Sequence, residues 1–468
     1  MTSELPDLSA CEQRALLASS RVSARELLEA HLDRVERVNP TLNAVVALDP
    51  SVAVQRAAAV DDARAKGQPL GPLAGLVTAH KDLAETADFP TTFGSPVFAD
   101  NRPTSDNLLV ARVKAAGAAA IGKTNTPEFG RGSHTFNPVY GTTLNPYDPT
   151  RTCGGSSGGA AVALRTGMVA IADGSDMGGS LRNPAGWNNI VGLRASPGVV
   201  PSVAPGPPWP RLGTEGPMGR TVDDLVLLLR VISAQTDADP LSRGMDLPTV
   251  LKPMDRPLRV AFSRNFGNLP VEPDVLAVLD RVPAMIEGLG WEVVEAAPDF
   301  SGAHEVFATL RGWLNATGMA ARLGPKLTEL KQTIQDEAAT GGRVTAQEVA
   351  DSLDHLRVLW LRAHRFFADF DLLIGPVSQV SPFPVDIEYP RVVAGQTMTS
   401  YIEWMMSCCY ITVLGSPALS LPAGFTDAGL PVGMQLVGGP WQDLTVLRAA
   451  KTIETATGHG LVRPALLE

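Results

Sequence analysis

The chain has 468 residues, of which 44% are hydrophobic and 19% charged, a balance that excludes large-scale disorder and permits a large buried core. Its formal net charge of −10 argues against nucleic acid and anionic membrane surfaces as partners. Because the four cysteines form no C-x-x-C pair and the acidic N-terminus lacks the basic and apolar regions of a signal peptide, the sequence predicts a cytoplasmic protein without a membrane span.

Helices alternate with short apolar strands along the first half of the chain. A capping box, Ser23-Ala24-Arg25-Glu26, begins a predicted helix over residues 23–38, and Asn39-Pro40 is expected to end it. Buried apolar strands between helices indicate a layered α/β sheet. The other elements predicted in this half are a helix over 107–116 and strands at 118–121, 168–172 and 190–193.

Two later regions have a different character. The proline-rich segment 199–216, which contains Trp209, is either a mobile lid or a rigid surface loop. From about residue 255 to 385 a strand at 258–262 and a helix at 274–289 precede a polar helical region, and we interpret this part as an insertion packed beside the sheet.

Three short segments contain a base, a relay and a nucleophile without a histidine: Lys81-Asp82, Gly154–Gly159 and Asp176–Arg182. Glycines beside a serine let backbone N–H groups turn toward one point, so those of Met177, Gly178, Gly179 and Ser180 are predicted to form an oxyanion hole. A serine hydroxyl needs a base, and a lysine serves where no histidine is placed. Burial behind the apolar residues 76–79 would lower the pKa of Lys81 from about 10.4 toward roughly 7 or 8.

Two pattern matches point elsewhere and fail in context. Gly117–Thr124 matches the phosphate-loop pattern, yet Gly117 ends a predicted helix and the residues after it are apolar strand material. Gly154–Gly158 matches the G-x-S-x-G elbow, which would make Ser156 the nucleophile. The preceding residues 145–153 contain two prolines and are predicted to form a loop, so the strand that leads into such an elbow is missing.

The three segments together resemble the amidase signature hydrolases. Similar features are the spacing of 24 positions from Ser156 to Ser180 and several flanking segments, including Gly216–Arg220 and Gly429–Gln435. The resemblance covers nearly the whole chain. It implies an α/β protein with a single α/β/α domain over residues 1–468, in which helices cover a mixed central sheet, and a variable insertion at about 255–385 that shapes the substrate pocket.

Carried over by position, the resemblance implies Ser180 as nucleophile, Ser156 as a proton relay joined by a cis peptide, and Lys81 as base. The histidines, cysteines and carboxylates show no metal-ligand spacing, so no metal is predicted, and no cofactor is expected. Asp176, Arg182 and Ser157 are expected to support these residues through hydrogen bonds and charge. Gly130 matches a position that contacts substrate, and Phe129 and Trp209 are candidate pocket aromatics.

The predicted function is hydrolysis of a carboxylic amide C–N bond through a Ser180 acyl-enzyme. Aryl amides, esters and carbamates (urethanes) suit the same chemistry, and the expected protein is a monomer or homodimer. One alternative is the glutaminase component of a glutamyl-tRNA(Gln) amidotransferase, which works within a complex. Another, a non-catalytic binding protein on the same fold, conflicts with intact Lys81, Ser156 and Ser180.

Overall fold

The computed structural model describes residues 2–203, 207–320 and 323–467. The helices of two turns or more are Ala10–Ala18, Ala24–Leu42, Ser51–Ala65, Leu108–Ala115, Gly158–Arg165, Val222–Ile232, Pro273–Leu279, Ala303–Leu314, Gln332–Gly341, Ala346–Asp369, Met406–Leu414 and Asp443–Thr457, and the shorter ones include Arg182–Trp187 and Val282–Glu287. The strands are β1 (Val45–Val46), β2 (Val77–Lys81), β3 (Ala119–Thr124), β4 (Phe136–Asn137), β5 (Gly141–Thr142), β6 (Ile171–Asp176), β7 (Val191–Arg194), β8 (Thr214–Gly219), β9 (Arg259–Phe262), β10 (Glu292–Glu295), β11 (Leu372–Pro376), β12 (Val392–Val393), β13 (Gln396–Thr397), β14 (Ala418–Phe425) and β15 (Pro431–Val437).

Eleven of these strands form one central sheet in the order β1-β3-β2-β6-β8-β7-β14-β15-β11-β9-β10. The sheet is mixed: β2 runs parallel to β3 and β6, whereas β6, β8, β7, β14 and β15 pair antiparallel in succession. Helices pack against it, and the buried apolar residues form two large clusters and one small one within the described chain. The predicted α/β/α architecture with a mixed central sheet is confirmed.

The first predicted helix begins as expected and ends later. The capping box forms, with the Ser23 side chain accepting from the Glu26 N–H and the Glu26 side chain accepting from the Ser23 N–H. The expected end at Asn39-Pro40 is wrong, because the helix continues through Pro40 to Leu42. A proline in the last turn removes one hydrogen bond only, and the helix ends where Asn43 adopts a left-handed conformation with φ of 51°.

The region from 255 to 385 contributes strands β9, β10 and β11 to one end of the central sheet, whereas the sequence pattern indicated an insertion beside the sheet. The helix predicted over 274–289 is divided into Pro273–Leu279 and Val282–Glu287, with Pro283 in the first turn of the second helix.

Of the proline-rich segment 199–216, residues 204–206 lie outside the described residues. No helix of the described ranges has the length and apolar character needed to cross a membrane.

Close packing explains the two glycines that follow Ser157. A Cβ atom at Gly159 would lie 2.3 Å from the backbone nitrogen of Asn125, and one at Gly158 would lie 2.2 Å from Thr135 Oγ1. The helix Gly158–Arg165 therefore approaches the chain after β3 more closely than any other residue type permits.

Replacing Gly159 with alanine should destabilise the protein by about 1–3 kcal/mol, because the new methyl group meets rigid backbone atoms. Thermal and urea unfolding monitored by circular dichroism measure the change. Gly288→Ala is the matched control: its backbone φ is −61°, its added Cβ meets no atom closer than 3.3 Å, and a change within about 0.5 kcal/mol is expected. Equal stability of the two variants would contradict the packing explanation.

Candidate active site

Two parallel strands and one helix bring the three predicted segments together. Strands β2 and β6 are parallel neighbours, with Thr78 opposite Ile171, so their carboxyl ends lie at the same edge of the sheet. Lys81 is the last residue of β2, and the loop after β6 contains Ser180. The helix Gly158–Arg165 begins directly after Ser156 and Ser157 and is buried along its whole length.

The Lys81 ammonium group lies among three serine hydroxyls. Its Nζ donates to Ser156 Oγ at 2.7 Å, to Ser157 Oγ at 2.9 Å and to Ser175 Oγ at 3.2 Å. Lys81 is 1% exposed and Ser156 3% exposed. The lysine thus has hydroxyl partners and no carboxylate in direct contact within the described part of the chain.

Burial lowers the pKa of Lys81 to about 7, against the opposing charges of Asp176, Asp173 and Glu215. At neutral pH a substantial fraction of Lys81 is therefore unprotonated, as the apolar strand before it predicted. Burial and the charge of Asp173 in turn raise the pKa of Glu215 to about 7, so part of the negative charge near the lysine is removed at neutral pH.

Ser156 follows a cis peptide bond from Gly155, and its carbonyl oxygen accepts from Thr126 Oγ1 at 2.9 Å. Gly130 packs directly against it: a Cβ atom at Gly130 would lie 3.3 Å from Ser156 Oγ and 2.8 Å from Leu83 Cδ1. The structure thus places Gly130 beside the proposed relay serine, and any side chain there would crowd the site.

Ser180 is partly exposed and lies on the loop after β6, where its carbonyl oxygen accepts from the Ser157 N–H at 3.3 Å. Among the described residues, the Ser180 hydroxyl makes no hydrogen bond to the Ser156 hydroxyl. Of the four N–H groups predicted to form the oxyanion hole, that of Gly179 donates to Asp176 Oδ1 at 2.9 Å. Those of Met177, Gly178 and Ser180 have no acceptor among the described residues.

A buried ion pair holds this loop. Arg182 Nη2 and Nε donate to the two carboxylate oxygens of Asp176 at 2.8 and 3.0 Å, and both side chains are fully buried. Arg194 donates to the Asp176 carbonyl oxygen at 2.6 Å. Burial alone would raise the pKa of Asp176, yet the two arginines hold it well below its usual range, and Asp176 raises the pKa of Arg182. A buried carboxylate with these partners remains charged and keeps its loop in one conformation.

The helix Met406–Leu414 supports the same loop from behind. Thr412 Oγ1 donates to the Met177 carbonyl oxygen at 2.8 Å, and Arg182 Nη1 donates to the Cys408 carbonyl oxygen and to Gln435 Oε1. A Cβ atom at Gly179 would lie 2.7 Å from Cys408 Cβ, so the loop and helix are in close contact.

A cavity of about 760 Å³ lies next to the site. Its lining includes Met177 of the Ser180 loop and Leu83 and Phe129, which flank Gly130. Phe129 stacks on Phe93 with ring centroids 5.5 Å apart and an interplanar angle of 3°. Trp209 is 59% exposed and is not among the lining residues, so the structure does not bring it to this cavity.

Several residues of the site were missed or only partly recognised in the sequence. Ser175 is the third hydroxyl partner of Lys81, and Asp173 bridges His80 Nδ1 at 2.6 Å and the Lys81 N–H at 3.2 Å. His80 therefore contacts a carboxylate and none of the serines. The place of Asp173 and Ser175 along β6, directly before the Ser180 loop, was the available signal.

The described residues contain no group of three or more His, Cys, Asp or Glu side chains arranged to hold a metal ion. A metal-free and cofactor-free site stays a prediction.

Comparison with known proteins assigns the chain to a family. The family model described as Amidase matches residues 26–447, which is most of the chain. The chain belongs to the amidase signature family. An acylamidase of Rhodococcus erythropolis is 34% identical over 474 residues, covering 98% of this chain and 97% of the relative. A glutamyl-tRNA(Gln) amidotransferase subunit of Chloroflexus aurantiacus is 33% identical over 498 residues, covering 99% of each.

A crystal structure of a bacterial aryl acylamidase of the amidase signature family superposes with a TM-score of 0.90 at 28% identity, covering 96% of each chain. This amidase signature protein is therefore an amide-hydrolysing enzyme. The relatives differ in the reactions their names describe, so they leave its substrate open.

The buried lysine makes stability depend on pH. Its folded-state pKa of about 7 lies below the unfolded value of about 10.4, so the unfolded chain binds more protons between these values. The free energy of unfolding of the wild type should therefore rise, relative to that of Lys81→Met, as the pH increases from about 7 to about 10.

Urea unfolding of both proteins from about pH 6 to 10 measures the free energy of unfolding of Lys81→Met minus that of the wild type. This difference should be largest at the acidic end of the range and should fall as the pH rises. Lys66→Met, at an exposed helix end, is the control and should track the wild type at every pH. A constant difference between wild type and Lys81→Met would show that Lys81 keeps its ordinary pKa.

Proposed function

We propose that this amidase hydrolyses the C–N bond of small-molecule carboxylic amides through an acyl-enzyme on Ser180. The observation that carries the proposal is the buried Lys81 Nζ, which lies 2.7 Å from Ser156 Oγ, beside the loop that contains Ser180. A lysine with a pKa of about 7 is available as a neutral base at physiological pH.

In the first step neutral Lys81 accepts the hydroxyl proton of Ser156, Ser156 accepts that of Ser180, and Ser180 Oγ attacks the carbonyl carbon. The tetrahedral intermediate then expels the amine, which receives its proton from Ser156 as the relay runs in reverse. Water attacks the acyl-enzyme with the same proton transfers and releases the acid. This relay suits amides because the nitrogen leaves only when it is protonated.

The oxyanion is proposed to lie among the N–H groups of Met177, Gly178 and Ser180. Because Gly179 donates to Asp176, its N–H would join them only if the loop turned that amide. Preorganised backbone donors stabilise developing negative charge strongly, and the Asp176–Arg182 pair keeps these donors in place.

The cavity favours substrates with an aromatic or apolar part. Phe129, Phe93 and Leu83 line it, and so does Met177 of the Ser180 loop. Aryl amides therefore suit it best, and the relative named acylamidase and the aryl acylamidase structure support this choice. Esters and carbamates (urethanes) are proposed as further substrates because the same acyl transfer applies to them.

The second candidate is the glutaminase component of a glutamyl-tRNA(Gln) amidotransferase, which relatives named as subunits of that enzyme, at 33% identity, support. Such a component would release ammonia from glutamine for a partner protein. We favour an enzyme that acts alone, as a monomer or homodimer in the cytoplasm, where the four free cysteines would stay reduced.

Ser180→Ala should abolish amide hydrolysis and covalent labelling by a fluorophosphonate probe, because the nucleophilic oxygen is removed. Labelling is read by intact-protein mass spectrometry. Ser175→Ala is the matched control, since Ser175 contacts Lys81 but lies on β6 before the loop, and it should keep the label. A labelled Ser180→Ala protein would assign the nucleophile to another residue.

Lys81→Ala should lose at least roughly a hundredfold in kcat/KM at pH 7 and regain part of the loss at alkaline pH, where hydroxide replaces the base. In the wild type, kcat/KM should rise with pH to a plateau above about 7 as Lys81 loses its proton. A pH–rate profile from about 5 to 10 tests both statements, and parallel profiles for the two proteins would refute the role of Lys81 as base.

The purified protein alone should hydrolyse an anilide faster than an aliphatic amide, an aryl ester or an aryl carbamate, and should leave glutamine intact. Product release is measured by chromatography for each compound under the same conditions. Glutaminase activity that requires a co-purifying second protein would instead establish the amidotransferase alternative.

A further inference from the structure

The charged residues that line the 760 Å³ cavity are all positive. Arg131 and Arg211 contribute to its wall, and no acidic side chain is among the lining residues within the described chain. The two arginines differ in their partners. Arg211 is bound by Asp239 through two hydrogen bonds of 2.6 and 2.7 Å, so its charge is neutralised.

Arg131 has no such partner. Its guanidinium makes no hydrogen bond or ion pair with the described residues, and its Nε is buried without an acceptor. Only its backbone is held, since its N–H donates to the Glu128 carbonyl oxygen and its own carbonyl oxygen accepts from Lys331 Nζ. A buried polar group without a partner is costly unless something else supplies one.

Neither of the two acids considered as partners for Arg131 forms a hydrogen bond or ion pair with its guanidinium. The negative charge of Glu337 acts on Arg131, but its carboxylate accepts from Arg311 at 2.8 Å and from Asn315 at 3.1 Å. Glu128 accepts from the Lys331 N–H through Oε2, whereas its Oε1 is buried without a hydrogen-bond partner among the described residues and does not reach Arg131. No carboxylate therefore makes a hydrogen bond or ion pair with the Arg131 guanidinium among the described residues, although the charge of Glu337 acts on it from a distance, and Arg131 lines the cavity.

Arg131 also lies next to the reacting groups. It directly follows Gly130, whose position packs against Ser156 Oγ, and Met177 of the Ser180 loop lines the same cavity. We propose that Arg131 binds a carboxylate of the substrate, so that the preferred amides have an anionic group on their acyl or amine part. This inference rests on the proposed function and narrows it to acidic amides.

A guanidinium matches a carboxylate through two parallel hydrogen bonds, and such charge-assisted pairs are about twice as strong as neutral ones. The apolar and aromatic surface around Arg131 would strengthen the contact by excluding water. The arrangement therefore recognises a substrate with an apolar body and one carboxylate.

The test compares matched charged and neutral amides. Glutaryl-4-nitroanilide has a carboxylate on its acyl part, and pentanoyl-4-nitroanilide is its neutral partner. In the second pair 4-acetamidobenzoate has the carboxylate on its amine part, and 4-methylacetanilide is its neutral partner. The measured quantity is the ratio of kcat/KM for the charged compound to that for its neutral partner. In the wild type at least one pair should give a ratio of roughly tenfold or more.

Arg131→Met should reduce that ratio to about one, and Arg131→Lys, which keeps the charge but loses the paired geometry, should give an intermediate value. Arg281→Met is the matched control, because Arg281 is an exposed arginine outside the cavity lining, and it should keep the wild-type ratio. Melting temperatures establish that each variant is folded. An unchanged ratio in Arg131→Met, or a wild-type preference for the neutral member of both pairs, overturns the inference.

A binding experiment separates this inference from the proposed function. Calorimetry with Ser180→Ala measures the affinity of the same four compounds, with and without Arg131→Met, and requires no turnover. If the wild type hydrolyses none of the compounds, the proposed function fails, whereas a carboxylate preference in binding that disappears in Arg131→Met still supports the assignment of Arg131. Binding that ignores the carboxylate refutes it, whatever the activity.

Discussion

The site depends on the burial of the Lys81 amine, which is energetically unfavourable because no carboxylate contacts it directly. Removing an ammonium group from water costs several kcal/mol, and Lys81 reduces that cost by giving up its proton near neutrality. The serine hydroxyls around Nζ serve either protonation state, because a hydroxyl both donates and accepts. A carboxylate in their place would hold the lysine charged and make it useless as a base. The charges of Asp176 and Asp173 act from a distance and keep the pKa from falling further.

Positions that pack without side chains keep this arrangement rigid. Gly159 lets a helix begin against neighbouring backbone, Gly158 lets it begin against the Thr135 side chain, and Gly130 leaves room beside Ser156. The Ser180 loop is fixed differently, through the fully buried Asp176–Arg182 pair. A side chain added at one of these glycines would clash with its neighbours, and loss of either Asp176 or Arg182 would leave an unpaired buried charge. Either change would lower the stability of the protein. The proposed chemistry thus rests on a surrounding structure that tolerates little change.

The sequence predicted most of the architecture and the central contact. Lys81 and Ser156 are hydrogen-bonded as the glycine-rich motifs indicated, and the capping box at Ser23 formed. Errors arose where tertiary contacts override local preference. The helix continues past Pro40 because its last turn is buried, and it ends before Asn43. Strand β9 joins the sheet because β10 and β11 pair with it in parallel. The charge at Arg131 was not recognisable beforehand, because whether a side chain has a partner depends on residues such as Glu337, which are distant in the chain.

The order of these contacts along the chain has a consequence for biosynthesis. Lys81, Ser156 and Ser180 all lie in the first half of the chain, whereas the groups that brace the Ser180 loop, Thr412 and Gln435, come from near the C-terminus. A nascent or truncated chain would therefore contain every proposed catalytic residue while lacking the scaffold that aligns them. The loop that contains Ser180 therefore gains its full set of supporting contacts only after nearly the entire chain has been synthesised.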